Sequence, residues 1–95
     1  MKWIVNTAWN HPKGMDWQEM QEELNEGMKS ADPGMNVHWF EIDKTNQGSV
    51  AIFPSKEVWE NMRSRIEEHR QKETDDKGVT MTYEVVGYVK AEGSS

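Results

Sequence analysis

His69 is the sharpest candidate for chemistry in this chain. It stands seven residues beyond Met62 and three beyond Ile66, a spacing that on a helix keeps it within one apolar stripe. An imidazole there can serve as an axial ligand, or as a base facing a cleft between helix and sheet. The alternative is a histidine near the helix end that bonds the last carbonyls and is favoured by the helix dipole. Asn6 is the second candidate, an amide within an otherwise apolar run and on the same face as Ile4 and Ala8. A buried amide needs partners, which can be a ligand, a neighbouring side chain or water. Trp59 reads either as core or as one wall of a cofactor pocket. His11 and His38, with Asp16 and Glu41 nearby in sequence, invite a metal reading. The two histidines are expected two strand spacings apart, about 9.6 Å, and no recognised ligand spacing is present, so no metal is expected. There is no nucleophile elbow and no glycine-rich phosphate cradle. The chain has no cysteine, which removes thiolate catalysis, disulfides and cysteine-ligated metals.

Which of these side chains can meet depends on the elements that carry them. Residues 2–9 are rich in β-branched and aromatic types, with Trp3, Val5, Thr7 and Trp9 on one face and Ile4, Asn6 and Ala8 on the other. The breaker run 10–14 ends that strand. Asp16 with Glu19 forms a capping-box variant. Trp17, Met20, Leu24, Met28 and Ala31 then recur at three- and four-residue steps, one stripe of a helix. Residues 35–53 read as two strands joined by a turn at 44–48, and the remaining elements are organised around them. Ser55 caps a second helix with Glu57 in its first turn. Val58, Trp59, Met62, Ile66 and His69 share its apolar band, while Glu60, Arg63, Glu67 and Arg70 take the opposite face. Asp75 to Gly78 closes it, and residues 79–90 alternate as a last strand with Gly87 as a candidate bulge.

Strand–helix–strand–strand–helix–strand is a βαββαβ order. Right-handed crossovers put both helices on one face of a four-stranded antiparallel sheet ordered 4-1-3-2, an α+β ferredoxin-like plait. A sheet with a single helical layer should alternate apolar and polar residues. Here large apolar residues occupy both faces: Val37 and Trp39 against Phe40 and Ile42, and Met81, Tyr83 and Val85 against Val86 and Tyr88. A doubly apolar sheet is covered on both sides. The simplest cover is a second copy packed sheet to sheet, a homodimeric α/β barrel.

The totals bound the rest. Ninety-five residues make one domain, expected over 1–90 with a loose polar tail at 91–95. Five Trp and seven Met suit a small core of bulky, adaptable side chains. A net charge of −6 with interleaved bases and acids disfavours nucleic acid. No apolar run approaches the roughly 20 residues of a membrane span, and the first strand leaves no room for a signal peptide. A cytoplasmic protein with no membrane partner is the expectation.

Element order, length and the doubly apolar sheet resemble the dimeric α/β-barrel superfamily, which includes antibiotic-biosynthesis monooxygenases and heme-degrading monooxygenases. The opening MKWIVN and the closing VTMTYEVVGY are similar to the first and last strands of the heme-degrading branch, and Trp59 and His69 have the ten-residue spacing of its helical Trp and His. In that branch Asn6, Trp59 and His69 would be the catalytic set, with His69 on a heme iron. The resemblance also implies a cofactor-independent, monooxygenase-like protein acting on an apolar or aromatic substrate. Asn6, His38 and Tyr83 would then supply polar groups, and Phe40 and Met62 would complete the ligand-binding surface. A non-catalytic dimeric binding or structural module is the third implication, with the Trp and Met residues serving core and interface alone.

Overall fold

The computed structural model describes residues 1–95. Its elements run β1 (Trp3–Asn10), α1 (Trp17–Met28), β2 (Asn36–Glu41), β3 (Asn46–Phe53), α2 (Lys56–Lys77) and β4 (Thr80–Tyr88). The sheet order is β2-β3-β1-β4, antiparallel throughout. This is the ferredoxin-like plait expected from the element order, and its strand order is the expected one.

Pairing register sorts every strand residue onto one of two faces. Trp3, Val5, Thr7 and Trp9 of β1 stand opposite Phe53, Ala51, Ser49 and Gln47 of β3. Those four β1 residues are buried, while Ile4, Asn6 and Ala8 between them are only half-buried. The first set therefore lies under the helices and the second faces outward. Alternation in β1 shows this split before any contact is known.

The buried core is small: 10 of 95 residues. Trp3, Val5, Phe53 and Trp59 form its apolar cluster, with Met35, Ala51 and Ile66 packed against it. The Trp3 and Trp59 rings lie 5.3 Å apart and tilted, and Tyr88 meets Trp3 edge-on at 5.0 Å. Lys56, Arg63 and Arg70, each seven residues after the last, put their charges over the rings of Trp3, Trp59 and Trp9 at 5.2, 4.7 and 5.5 Å. Their aliphatic stems extend the core while the heads keep water or a cation–π partner. Arg70 also bonds Glu84 of β4 at 2.8 Å. Arg63 and Arg70 were expected on a purely solvated face; both instead roof a tryptophan.

Four local expectations are corrected. The hairpin turn lies at 42–45 rather than 44–48. Asp43 Oδ1 accepts the amides of Thr45 and Asn46 at 3.0 and 2.9 Å, which closes the turn early and frees 46–48 to pair as strand. Those bonds, the Thr45 amide first, hold the Asp43 carboxyl below its ordinary value. The β4 bulge is at Thr82, not Gly87, since Tyr83 pairs with Ala8 and Met81 with Trp9. That extra residue moves Met81 to the helix side, away from Tyr83 and Val85. Helix α2 runs on to Lys77, where Gly78 at φ 68° provides the left-handed cap and its amide bonds Thr74 at 3.0 Å. His69 is therefore mid-helix and caps nothing. Helix α1 ends at Met28, so Ala31 falls in the turn after it.

The two helices are held differently. Helix α2 buries Trp59, whereas α1 buries no residue completely. What fixes α1 is its cap, Asp16 accepting the Glu19 amide at 3.0 Å, and an exposed Lys77–Glu19 pair at 3.7 Å that adds little. Asp16→Ala should cost about 1 kcal/mol. With so little packing to share it, the loss should be local: amide exchange in α1 about fivefold faster, exchange in α2 unchanged. Equal acceleration in both helices would mean that α1 is locked to the rest of the fold.

Candidate functional site

The register decides which candidates can meet. On the outward face the rows across the sheet read His38–Val50–Asn6–Val85 and Phe40–Gly48–Ala8–Tyr83. Asn6, His38, Phe40 and Tyr83 thus share one face. Asn6 donates its amide to the Ser49 carbonyl at 2.9 Å, so a main-chain neighbour serves as its partner. The Phe40 ring lies over Gly48, where an added Cβ would come within 2.2 Å of it. Phe40 and Tyr83 are about half exposed, at 47 % and 53 %.

Trp59 lies on the other side of the sheet, inside the core cluster, with Trp3 and the Arg63 guanidinium against its ring. Met62 is half-buried on the same helix. His69 is on neither side. Its side chain is 67 % exposed and its nearest charged partner is Glu73, one turn on, at 3.9 Å. Asn6, Trp59 and His69 are therefore not brought together, and they do not fit a heme. A sheet separates the amide from the indole, and the imidazole faces water.

His11 and His38 are also apart. His38 is on the outward face, whereas the His11 ring nitrogen Nδ1 bonds Oε1 of Gln47, which belongs to the helix-side set. Gln47 is fully buried and its Nε2 has no protein partner. Next to it Trp9 Nε1 donates to Thr7 Oγ1 at 2.7 Å, and Thr7 Oγ1 bonds Ser49 Oγ. This buried polar row in Thr7, Gln47 and Ser49 has no sequence signature beyond three polar residues at alternate strand positions. Beside it His11, Lys13, Asp76 and Lys77 border a hollow of about 300 Å³. The Lys77 ammonium donates to the Glu73 carboxylate, which raises its pKa above the usual value.

The larger cavity is elsewhere. An open cleft of about 580 Å³ runs between α1 and β2. Trp17, Met20, Leu24 and Met28 wall it from the helix, and Met35, Val37 and Trp39 from the strand side, with Gln21, Asn25 and Lys29 along its rim. Asn36 and His38 border it too, although their side chains alternate towards the outward face. The helical wall is the very stripe that spacing assigned to α1. Its residues are half-buried, because the helix stands off the sheet edge and leaves the stripe lining a space.

Five tryptophans divide accordingly: Trp3, Trp9 and Trp59 are buried, while Trp17 and Trp39 face the cleft. Of the site residues named from sequence, only His38 borders this cavity. Val37 and Trp39 were legible as an apolar strand face; that a gap lay in front of them was not. No helix is long and apolar enough to cross a membrane.

Fold and cavity together define an α+β ferredoxin-like plait with a ligand-sized cleft under its first helix. Neither protein-family models nor curated proteins give a match to the chain.

Proposed function

We propose that this chain binds a small apolar or aromatic molecule in the α1–β2 cleft, and that it does so as a homodimer packed through the outward face of its sheet. The observation that carries the binding reading is the cleft itself. About 580 Å³ lined by seven hydrophobic residues of twelve lies within the range of small-molecule sites, which are mostly apolar with a few polar groups. Three methionines and two indoles give a wall that adapts to a flat or irregular ligand. The pairing reading is supported by Phe40, Ile42, Tyr83 and Val85, all exposed in the single chain.

The lining has no Asp, Glu, Ser, Thr or Tyr, so a bound substrate would meet aliphatic, indole, thioether and amide groups, one lysine and, at the border, His38. Cofactor-independent oxygenation would then rest on the substrate's own reactivity against an apolar wall.

N-phenyl-1-naphthylamine, a neutral aromatic probe that brightens in apolar surroundings, tests the cleft. Saturable binding to the wild type is expected. Leu24→Gln places an amide on the wall and should weaken it by at least about tenfold. The melting temperature should change little, because Leu24 is only half-buried. Equal binding by the variant would move the probe out of the cleft and sink the proposal.

A further inference from the structure

The charge around the cleft narrows the ligand further. The chain carries 17 acidic and 11 basic side chains, yet none of the acids lines this cavity and Lys29 does. In so acidic a protein, an apolar cleft free of carboxylates with a lysine at its mouth is electrostatically selective. Within the lining an anion finds a counter-charge, in Lys29, and a cation finds none.

The helix gives the cleft a direction. Met20, Leu24 and Met28 stand at four-residue steps, and Gln21, Asn25 and Lys29 form a parallel row one residue on. Eight residues of helix rise about 12 Å, so an apolar row from Met20 to Met28 and a polar row from Gln21 to Lys29 run side by side over that length. Along the polar row Gln21 Nε2 donates to Asn25 Oδ1 at 2.9 Å, which leaves the Asn25 amide hydrogens free to donate. Lys29 at the far end is tied only to Glu26, at 2.9 Å, with both side chains more than 70 % exposed. Such a pair contributes little, and a bound anion can take its place beside the ammonium at small cost.

We infer that the cleft takes an anionic amphiphile: an apolar body about 12 Å long laid along Met20, Leu24 and Met28, with a carboxylate head at Lys29. This rests on the cleft being the binding site and names the class of ligand within it. A medium-chain carboxylate has the required length and charge, and its neutral alcohol has the length alone. With no cation at the mouth, burial would favour the alcohol, since desolvating a carboxylate is costly. A charge-assisted bond from Lys29 reverses that order.

Displacement of bound N-phenyl-1-naphthylamine by decanoate and by decan-1-ol provides the test, in the wild type and in Lys29→Gln. In the wild type decanoate should displace the probe at about tenfold lower concentration than decanol. Lys29→Gln should abolish that advantage and leave displacement by decanol unchanged. Decanol matching or exceeding decanoate in the wild type would overturn the inference, as would an advantage that persists in the variant. A probe that binds but yields to neither compound would also overturn it while leaving the cleft as the binding site. A probe insensitive to Leu24→Gln would remove both.

Discussion

Trp59→Ala should cost the fold about 3–5 kcal/mol, the usual range for removing a buried indole. The environment of Trp59 leaves few ways to soften the loss. It is the only buried residue of α2, and it belongs to a cluster of four whose other members all come from β1 and β3. Its removal takes away the Trp3 stacking partner and the surface beneath Arg63. In a domain of this size each kcal/mol lowers the melting temperature by roughly 4–8 °C, so a fall of more than about 12 °C is expected. Trp59→Phe keeps an aromatic face against Trp3 and should cost less than half as much. His69→Ala, at a solvent-facing position, should stay within about 0.5 kcal/mol. Urea denaturation of the three variants decides the matter. A cost under about 1 kcal/mol for Trp59→Ala would mean that the indole stands in open space, as a cofactor wall would.

The contrast between Trp59 and His69 shows what the sequence could reveal. Spacing placed both within one 100° band of a helix, and that band exists. A helix over a twisted sheet, however, buries only the part of its stripe that crosses the core. Trp59 and Ile66 fall on that part, whereas His69 lies at its margin and past the apolar cluster. The helix end was misplaced for a related reason. Asp75 and Asp76 resemble a turn, but polar residues also continue an exposed helix until a left-handed glycine stops it, here Gly78.

The fold itself was legible because two periodicities alternate along the chain and crossover handedness leaves one arrangement. Strand faces were legible from alternation, except where a bulge at Thr82 shifted Met81 by one residue. Bulges carry no fixed residue signal, and Gly87 drew attention that belonged to an ordinary threonine. The cleft was illegible for a different reason. An apolar stripe states that a helix has something to cover, not how closely it approaches. Whether Met20, Leu24 and Met28 pack on β2 or line a gap in front of it depends on the crossing of two elements joined by loops. Periodicity is identical in the two cases. The roofing of Trp3, Trp59 and Trp9 by Lys56, Arg63 and Arg70 could have been noticed as a seven-residue recurrence of cations on one helix. Charge alone made it look like surface.

The second large effect concerns the outward face. Three rows cross it: Asn36–Ile52–Ile4–Gly87, His38–Val50–Asn6–Val85 and Phe40–Gly48–Ala8–Tyr83. Small residues at Ala8 and Gly87 leave shallow places between the ridges of Phe40, Val50, Ile52, Tyr83 and Val85. A second copy turned about a two-fold axis can fill them. In that arrangement wild-type protein should sediment at twice the 11.1 kDa chain mass. Val85 is 48 % exposed in the single chain, so the fold tolerates a charge there. Buried against a partner sheet without a counter-ion, the same charge should weaken association by about 3 kcal/mol or more, over a hundredfold in Kd. Val85→Asp is therefore expected to be a folded monomer at concentrations where the wild type is a dimer. Met81 lies on the same edge strand and is exposed to a similar degree, 41 %, but on the helix side of the bulge. Met81→Gln should leave the dimer intact. The pair of variants separates the ways two copies could meet: loss of the dimer in Val85→Asp alone fits face-to-face packing. Loss in both would indicate edge-to-edge pairing along β4, and a wild type that sediments as a monomer would leave the face uncovered and the proposed dimer without support.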